Sequence, residues 1–441
     1  MKKIIAFLLV ICTLSTSILA SAADYTSVIN PPENVTAKGI YMLELGADIE
    51  NTSDNIVLYS KGANDRLFPA SLTKIMTAVV VLKNVQPENL VSKTATMTSE
   101  LAAQLKKEGS SVAGFMPGEE ITLKDLFYGM MLPSGGDATI MLATEIFGGD
   151  LNKFIEEMNV TAKELGLTNT NFVNPTGIHD ENQYSTPRDM AILTEYAMYK
   201  MPNANFFKAV VNTKEYTIKS NKRPSGFVLK TTNLLLTTIP VTNVNGVKTG
   251  TTKQAGECLV SSYDDNSVNI ITVVMGAVPG KTAGRQAFYD TKTLLNYVKA
   301  NFKIIRDFKK VPHFTTDVAL ATNDEGGKVF KFSPATDAEI RLFIPKDFES
   351  KITFLPEKEL HLIAPIKSKK EITTAKIMIG DNQIGTTTLV NSKDINIGFK
   401  YIFIGIGIII AIIILIVILI VVLSDNKGKR KRKKRPTARK N

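Results

Sequence analysis

Cysteine is scarce in this 441-residue chain, which has only Cys12 and Cys258. Cys12 falls in an apolar stretch, Ile4 to Ala20, that follows Lys2 and Lys3. The stretch ends in the small residues Ala20–Ser21–Ala22, the pattern of a secretory signal cut before Ala23. Ile11 stands before Cys12 where a lipid-attachment site would need a small residue. The exported chain then keeps one cysteine, so no internal disulfide can form and the fold must rest on its core. Histidine is nearly as rare. His179, His313 and His361 are scattered without ligand spacing, and no metal site is expected. A glycine-rich phosphate loop is lacking too, since Gly405 and Gly407 lie inside a long apolar run.

Charge of one sign is in excess, but only at the ends. The formal net charge is +11, which spread over the chain would suit nucleic acid. Lys2 and Lys3, with ten bases against one acid after Ser424, account for all of it, so residues 4–424 are neutral. That distribution argues against a nucleic-acid partner. The basic tail follows Tyr401–Leu423, an uncharged run long enough to cross a bilayer as a helix. Positive charge stays on the cytoplasmic side, which places everything before Lys400 outside in a single-pass topology. The tail is then expected to touch anionic headgroups and hold the helix in register.

Between the two apolar segments lie roughly 375 residues, enough for two domains. Gly39–Leu45 and Ile56–Ser60 are β-rich and joined by a polar turn, which predicts a hairpin. After Pro69, nearly every residue from Ser71 to Leu82 is apolar, so a helix buried on almost all faces is expected. Lys74 is the one charge in its first two turns. Ser71 and Lys74, three apart, project from the same side, and an ammonium in apolar surroundings loses hydration and drops in pKa. A free amine beside a hydroxyl is a general base beside a nucleophile. The plainer alternative makes Ser71 a helix cap and sends Lys74 to solvent. Ser424–Asp425–Asn426–Lys427 shows the same spacing where no site is plausible.

Further along, Thr122 and Asp125 can cap a helix running to Leu132, and Pro133–Ser134–Gly135–Gly136–Asp137 breaks it before Ala138–Ile146 resumes. Ser134 thus sits on a tight inter-helix turn. Leu151–Leu165 is amphipathic, Asn169–Asp189 is a long polar loop of the kind that frames sites, and Asp189–Tyr199 returns to helix. Val247 begins a strand carrying Lys248, Thr249 and Gly250, followed by strands at Glu257–Tyr263 and Val268–Ala277 and a helix at Arg285–Phe302. Lys248 offers a cation for an anionic group, and Gly250 lets backbone approach a ligand. Beyond Phe302, seven short β runs with no helix suggest a small sandwich acting as a spacer.

Ser71-x-x-Lys74, Ser134 on its turn and Lys248–Thr249–Gly250 on its strand, in that order, resemble the penicillin-recognising serine acyl-transferases. The likeness is nearest to the low-molecular-mass D-alanyl-D-alanine carboxypeptidases, through Pro69–Thr77, Asn174–Pro175–Thr176–Gly177, Tyr184–Met190 and Gly246–Thr252. The resemblance implies an α+β, β-lactamase-like domain, helices with an antiparallel five-stranded sheet, followed by a small all-β domain. It implies that Ser71 attacks the peptide carbonyl, Lys74 takes its proton and Ser134 relays a proton to the leaving amine. Lys248 and Thr249 would hold the terminal carboxylate, beside Gly250, and the N–H groups of Ser71 and Thr251 would form an oxyanion hole. No cofactor is implied. Peptidoglycan stem peptides and β-lactams are the expected ligands; the oligomeric state is left open.

The expected layout is a signal peptide at 1–22, a catalytic domain at 23–306, a β-rich domain at 307–397, a membrane helix at 401–423 and a cytoplasmic tail at 424–441. The anchor differs from the amphipathic C-terminal helix common in relatives. One further departure bears on activity. Where the second motif usually ends in Asn, this chain has Gly136, and losing such an amide would cost on the order of 10²–10³ in rate if nothing replaces it. Ser53, Ser267 and Ser424 each begin a literal Ser-x-Asn, but all lie outside the interval between Lys74 and Lys248. Two other functions therefore stay open: a peptidoglycan-binding homologue without activity, and a β-lactamase using a glutamate such as Glu164.

Overall fold

The computed structural model describes residues 23–26, 30, 32–46, 55–280, 284–305, 313–323, 327–334 and 342–432. The expected signal peptide, the expected turn at 47–54 and the end of the basic tail lie outside the described residues. The chain divides into two compact units, one built chiefly from residues up to Ile304 with Arg341–Lys346, the other from most of the chain beyond Ile304.

In the first unit Ile56–Lys61, Gly39–Leu45, Asn269–Ala277, Gly256–Asp264 and Lys248–Thr252 lie side by side in that order, each antiparallel to the next. These are the five strands expected. A two-residue strand, Ala23–Asp24, adds a parallel sixth at the Ile56 edge. Gly39–Leu45 is buried at every position, so the sheet is covered on both faces and its strands read as apolar runs without alternation. Helices Pro187–Glu195 and Gln286–Asn301 pack against it. Thr122 caps Leu123–Met131 by accepting the Asp125 N–H at 3.1 Å, as its spacing predicts.

The central helix departs from expectation at its start. Ala70–Thr73 is a 3₁₀ turn, and the α-helix runs from Lys74 to Asn84 with Lys74 through Leu82 all buried. With three residues per turn, a 3₁₀ segment eclipses positions i and i+3, which stacks Ser71 under Lys74 more directly than an α-helix would. Ser71 is thus not the helix cap, and Lys74 does not reach solvent.

In the second unit six of the seven expected β runs form one sheet. Its order is Ile352–Pro356, Glu371–Ile379, Asn382–Asn391, Val329–Pro334, Phe314–Ala319 and Leu362–Ile363. These strands follow one another in a single hydrogen-bonded order. The remaining run, Leu342–Pro345, pairs with Phe302–Ile305 instead, and a 3₁₀ turn at Glu349–Lys351 interrupts the β pattern. After Gly398 a helix spans Phe399–Arg432; its segment Phe399–Ser424, which contains an 18-residue window of mean hydropathy 3.9, is long and apolar enough to cross a membrane.

Candidate active site

The site is assembled on the 3₁₀ turn. Lys74 is 2% exposed and its Nζ donates to Ser71 Oγ at 3.1 Å and to the Thr176 carbonyl at 2.6 Å. That carbonyl is held by the polar loop: Asn174 Oδ1 accepts from the N–H groups of Thr176 and Gly177 at 3.2 and 2.8 Å. Thr77 Oγ1 donates to Pro175 O at 2.7 Å and pins the same turn to the central helix. Burial drives Lys74 from an ordinary value of 10.5 down to about 7, the Asp137 carboxylate opposing part of the fall. Near neutral pH a large fraction is therefore free amine, facing a serine hydroxyl.

Ser134 lies where the sequence places it, between the helices Leu123–Met131 and Gly136–Ile146, in the left-handed region at φ 64°. Ala70, on the other side of the site, is also left-handed at φ 47°. Non-glycine residues avoid this region, and such strain gathers at functional sites. Ser134 Oγ is buried and carries no hydrogen bond among the described residues. Lys248 is 1% exposed. Burial, and then the nearby charge of Lys74, hold it well below the usual lysine range. Its Nζ donates to Thr249 O at 2.9 Å. Gly250 lets its strand approach the turn: a Cβ there would stand 3.0 Å from both Ser71 N and Pro69 O.

Ser71, Ser134, Thr249, Gly250 and Thr251 thus line one cleft of about 310 Å³, with the two lysines behind it. Several residues that no motif marks join them. Thr232 Oγ1 lies 2.6 Å from Thr249 Oγ1, Ser111 Oγ donates to Ser134 O at 3.1 Å, and both line the cleft. Thr232 and Ser111 each arrive on a loop whose path is set by tertiary packing. Gly136 offers backbone only. Its N–H donates to Ser111 O at 2.7 Å, and a Cβ would meet Ser110 Oγ at 2.4 Å.

Asp137 is fully buried and accepts the N–H groups of Ala113, Gly114 and Phe115 at 2.7, 2.9 and 3.2 Å. It fixes the 110–115 loop against the Ser134 turn and supplies the charge that holds Lys74 up. Asp137→Asn therefore has two expected effects. It destabilises the fold by about 2 kcal/mol, the value of hydrogen bonds to a buried charge, read as a lower Tm. It also lowers the pH at which the Lys74 amine titrates, read by NMR of that amine, because Lys74 loses the carboxylate that opposes the effect of burial; an unmoved titration contradicts that coupling.

The sequence matches the D-alanyl-D-alanine carboxypeptidase family, peptidase S11, over residues 46–279. The chain belongs to this family. It is 35% identical over 283 residues to the carboxypeptidase DacF of Bacillus subtilis, covering 62% of this chain and 70% of DacF. With DacC of Escherichia coli it shares 31% over 350 residues, 78% of this chain and 82% of that one. Penicillin-binding protein 5 of Haemophilus influenzae superposes with a TM-score of 0.59 at 28% identity, over 83% of this chain and 99% of that structure. The Streptomyces K15 DD-transpeptidase gives 0.53 at 31%, over 62% of this chain and all of that structure. The likeness to penicillin-binding protein 5 extends beyond the first unit.

Proposed function

We propose that this serine-type D-alanyl-D-alanine carboxypeptidase removes the terminal D-alanine of peptidoglycan stem peptides through an ester on Ser71, and that β-lactams acylate the same oxygen. The observation that carries this is the buried amine of Lys74 at 3.1 Å from Ser71 Oγ. Lys74 takes the hydroxyl proton as Oγ bonds to the penultimate carbonyl carbon. The C–N bond to the last D-alanine then breaks, and the proton passes through Ser134 Oγ to the leaving amine. Water cleaves the ester in a second step, returning the proton to Ser71. The N–H groups of Ser71 and Thr251 stabilise the oxyanion, worth on the order of 10²–10³ per donor. Thr249, which lines the cleft, and Lys248 beside it on the strand hold the substrate carboxylate.

A β-lactamase reading has little support in the geometry. Glu164 is exposed, pairs with Lys83 at 2.9 Å and is not among the residues lining the cleft. We further propose that residues 23–306 form the catalytic domain and 307–397 the β-rich one. The helix from Phe399 anchors both in a cell membrane, with the cleft outside and the basic tail in the cytoplasm.

Labelled penicillin and a D-alanyl-D-alanine pentapeptide test the reading together. The expected result is a long-lived adduct on Ser71 and release of one D-alanine per peptide, both lost in Ser71→Ala. Rapid turnover of the drug would favour the lactamase. Retained peptidoglycan binding with no adduct would show a homologue disabled at Gly136.

A further inference from the structure

The second unit carries a recess of about 730 Å³ at the root of the apolar helix. Its walls hold Lys331, Lys393 and Lys400 beside Phe330, Phe399 and Asn391. The three lysines are exposed. The acid in the recess, Asp394, is already taken, by Lys367 at 3.2 Å and the Ser368 N–H at 2.7 Å. The lysines therefore have no carboxylate partner among the described residues.

The recess is held at a fixed level on the helix. Gly398 N–H donates to Leu320 O at 2.8 Å, Ala321 bridges Ile397 and Ile366 bridges Ile395. A Cβ on Gly398 would stand 2.2 Å from Thr322 Oγ1, so a side chain there would force Thr322 to move. Phe399 and Phe403 are exposed at the first turns and Lys400 Nζ lies 5.0 Å from the Tyr401 ring. Aromatic and basic residues at the end of an apolar helix mark the membrane interface. The recess thus opens at the depth of lipid headgroups, whichever side of the membrane it faces. Asn391 is 1% exposed and donates from Nδ2 to Lys367 O and Lys393 O, both at 2.7 Å. Its Oδ1 has no partner among the described residues. A buried acceptor of this kind suits a hydroxyl.

We propose that this recess binds the headgroup of an anionic phospholipid, its phosphate on Lys331, Lys393 and Lys400 and a headgroup hydroxyl toward Asn391. The proposal rests on the reading of the apolar helix as a membrane anchor. A lysine near an anionic surface contributes about a fivefold preference, so three of them favour anionic over zwitterionic lipid by tenfold or more.

The test uses the full chain, reconstituted in vesicles of phosphatidylglycerol with phosphatidylcholine or of phosphatidylcholine alone. Lipid retained after detergent extraction is counted by native mass spectrometry. Phosphatidylglycerol is expected to be retained about tenfold over phosphatidylcholine, to resist millimolar inorganic phosphate, and to fall to parity in Lys331→Gln/Lys393→Gln/Lys400→Gln. The variant should keep its D-alanine release. Equal retention of the two lipids, full retention in the variant, or displacement by inorganic phosphate overturns the proposal while the chain still floats with vesicles. Failure to float with any vesicle overturns the anchor as well.

Discussion

Lys74→Ala is expected to slow acylation of Ser71 by about 10³-fold or more, in the range that loss of a general base costs. The Tm should move far less, because the change removes a desolvated amine as well as a hydrogen bond to Thr176 O. The pH profile sharpens the test. A lysine whose pKa is lowered to about 7 is charged below that pH and free above it. If the free amine is the base, kcat/KM for D-alanine release falls tenfold per pH unit below about 7 and levels off above it. In Lys74→Ala the same limb should vanish. Unimpaired acylation by the variant, or a wild-type profile flat from pH 5 to 8, would remove Lys74 from the mechanism.

Among the described glycines, Gly177→Ala should be the most damaging addition of a methyl group. Gly177 is left-handed at φ +81°, and a Cβ there would lie 1.9 Å from Ala70 O and 2.4 Å from its carbonyl carbon. Those atoms are backbone and cannot rotate away. Either the Asn174–Gly177 turn retreats, taking the Thr176 carbonyl off Lys74, or the 3₁₀ turn shifts and carries Ser71 with it. Left-handed strain of about 1–2 kcal/mol and overpacking of about 1–3 kcal/mol combine, so a Tm several degrees lower is expected. Acylation should drop about 100-fold, since an ångström of misplacement costs that much. Wild-type activity with wild-type Tm would mean that the contact between Gly177 and Ala70 does not position the nucleophile.

How far the fold can be read from the residues depends on what each signal rests on. The strands from Gly39 to Leu45 and from Asn269 to Ala277 are legible because short, largely apolar runs between turn residues have few alternatives. Thr122 is legible as a cap because its partner is three residues away. Ser71, Lys74, Ser134 and Lys248 fall on short motifs, and the chain folds them around one cleft. Less visible are features made by backbone. The 3₁₀ start of the central helix depends on packing against the Gly250 strand, and the Thr176 carbonyl leaves no trace in side-chain chemistry. Asp137 stands within the Ser134 turn, yet its carboxylate serves N–H groups more than twenty residues upstream. The strand order of the second unit is less visible, because seven short runs do not reveal which of them share hydrogen bonds.

The order of the first sheet has a consequence for what the cleft can accept. Among the described residues Lys248–Thr252 is the last strand, paired on one side only, with Gly256–Asp264. An unpaired margin offers amide and carbonyl groups at the spacing of another extended chain. A peptide lying beside Ser71 in extended form would meet those groups along its own main chain, so the margin suits a straight, slender stem before any side chain is inspected.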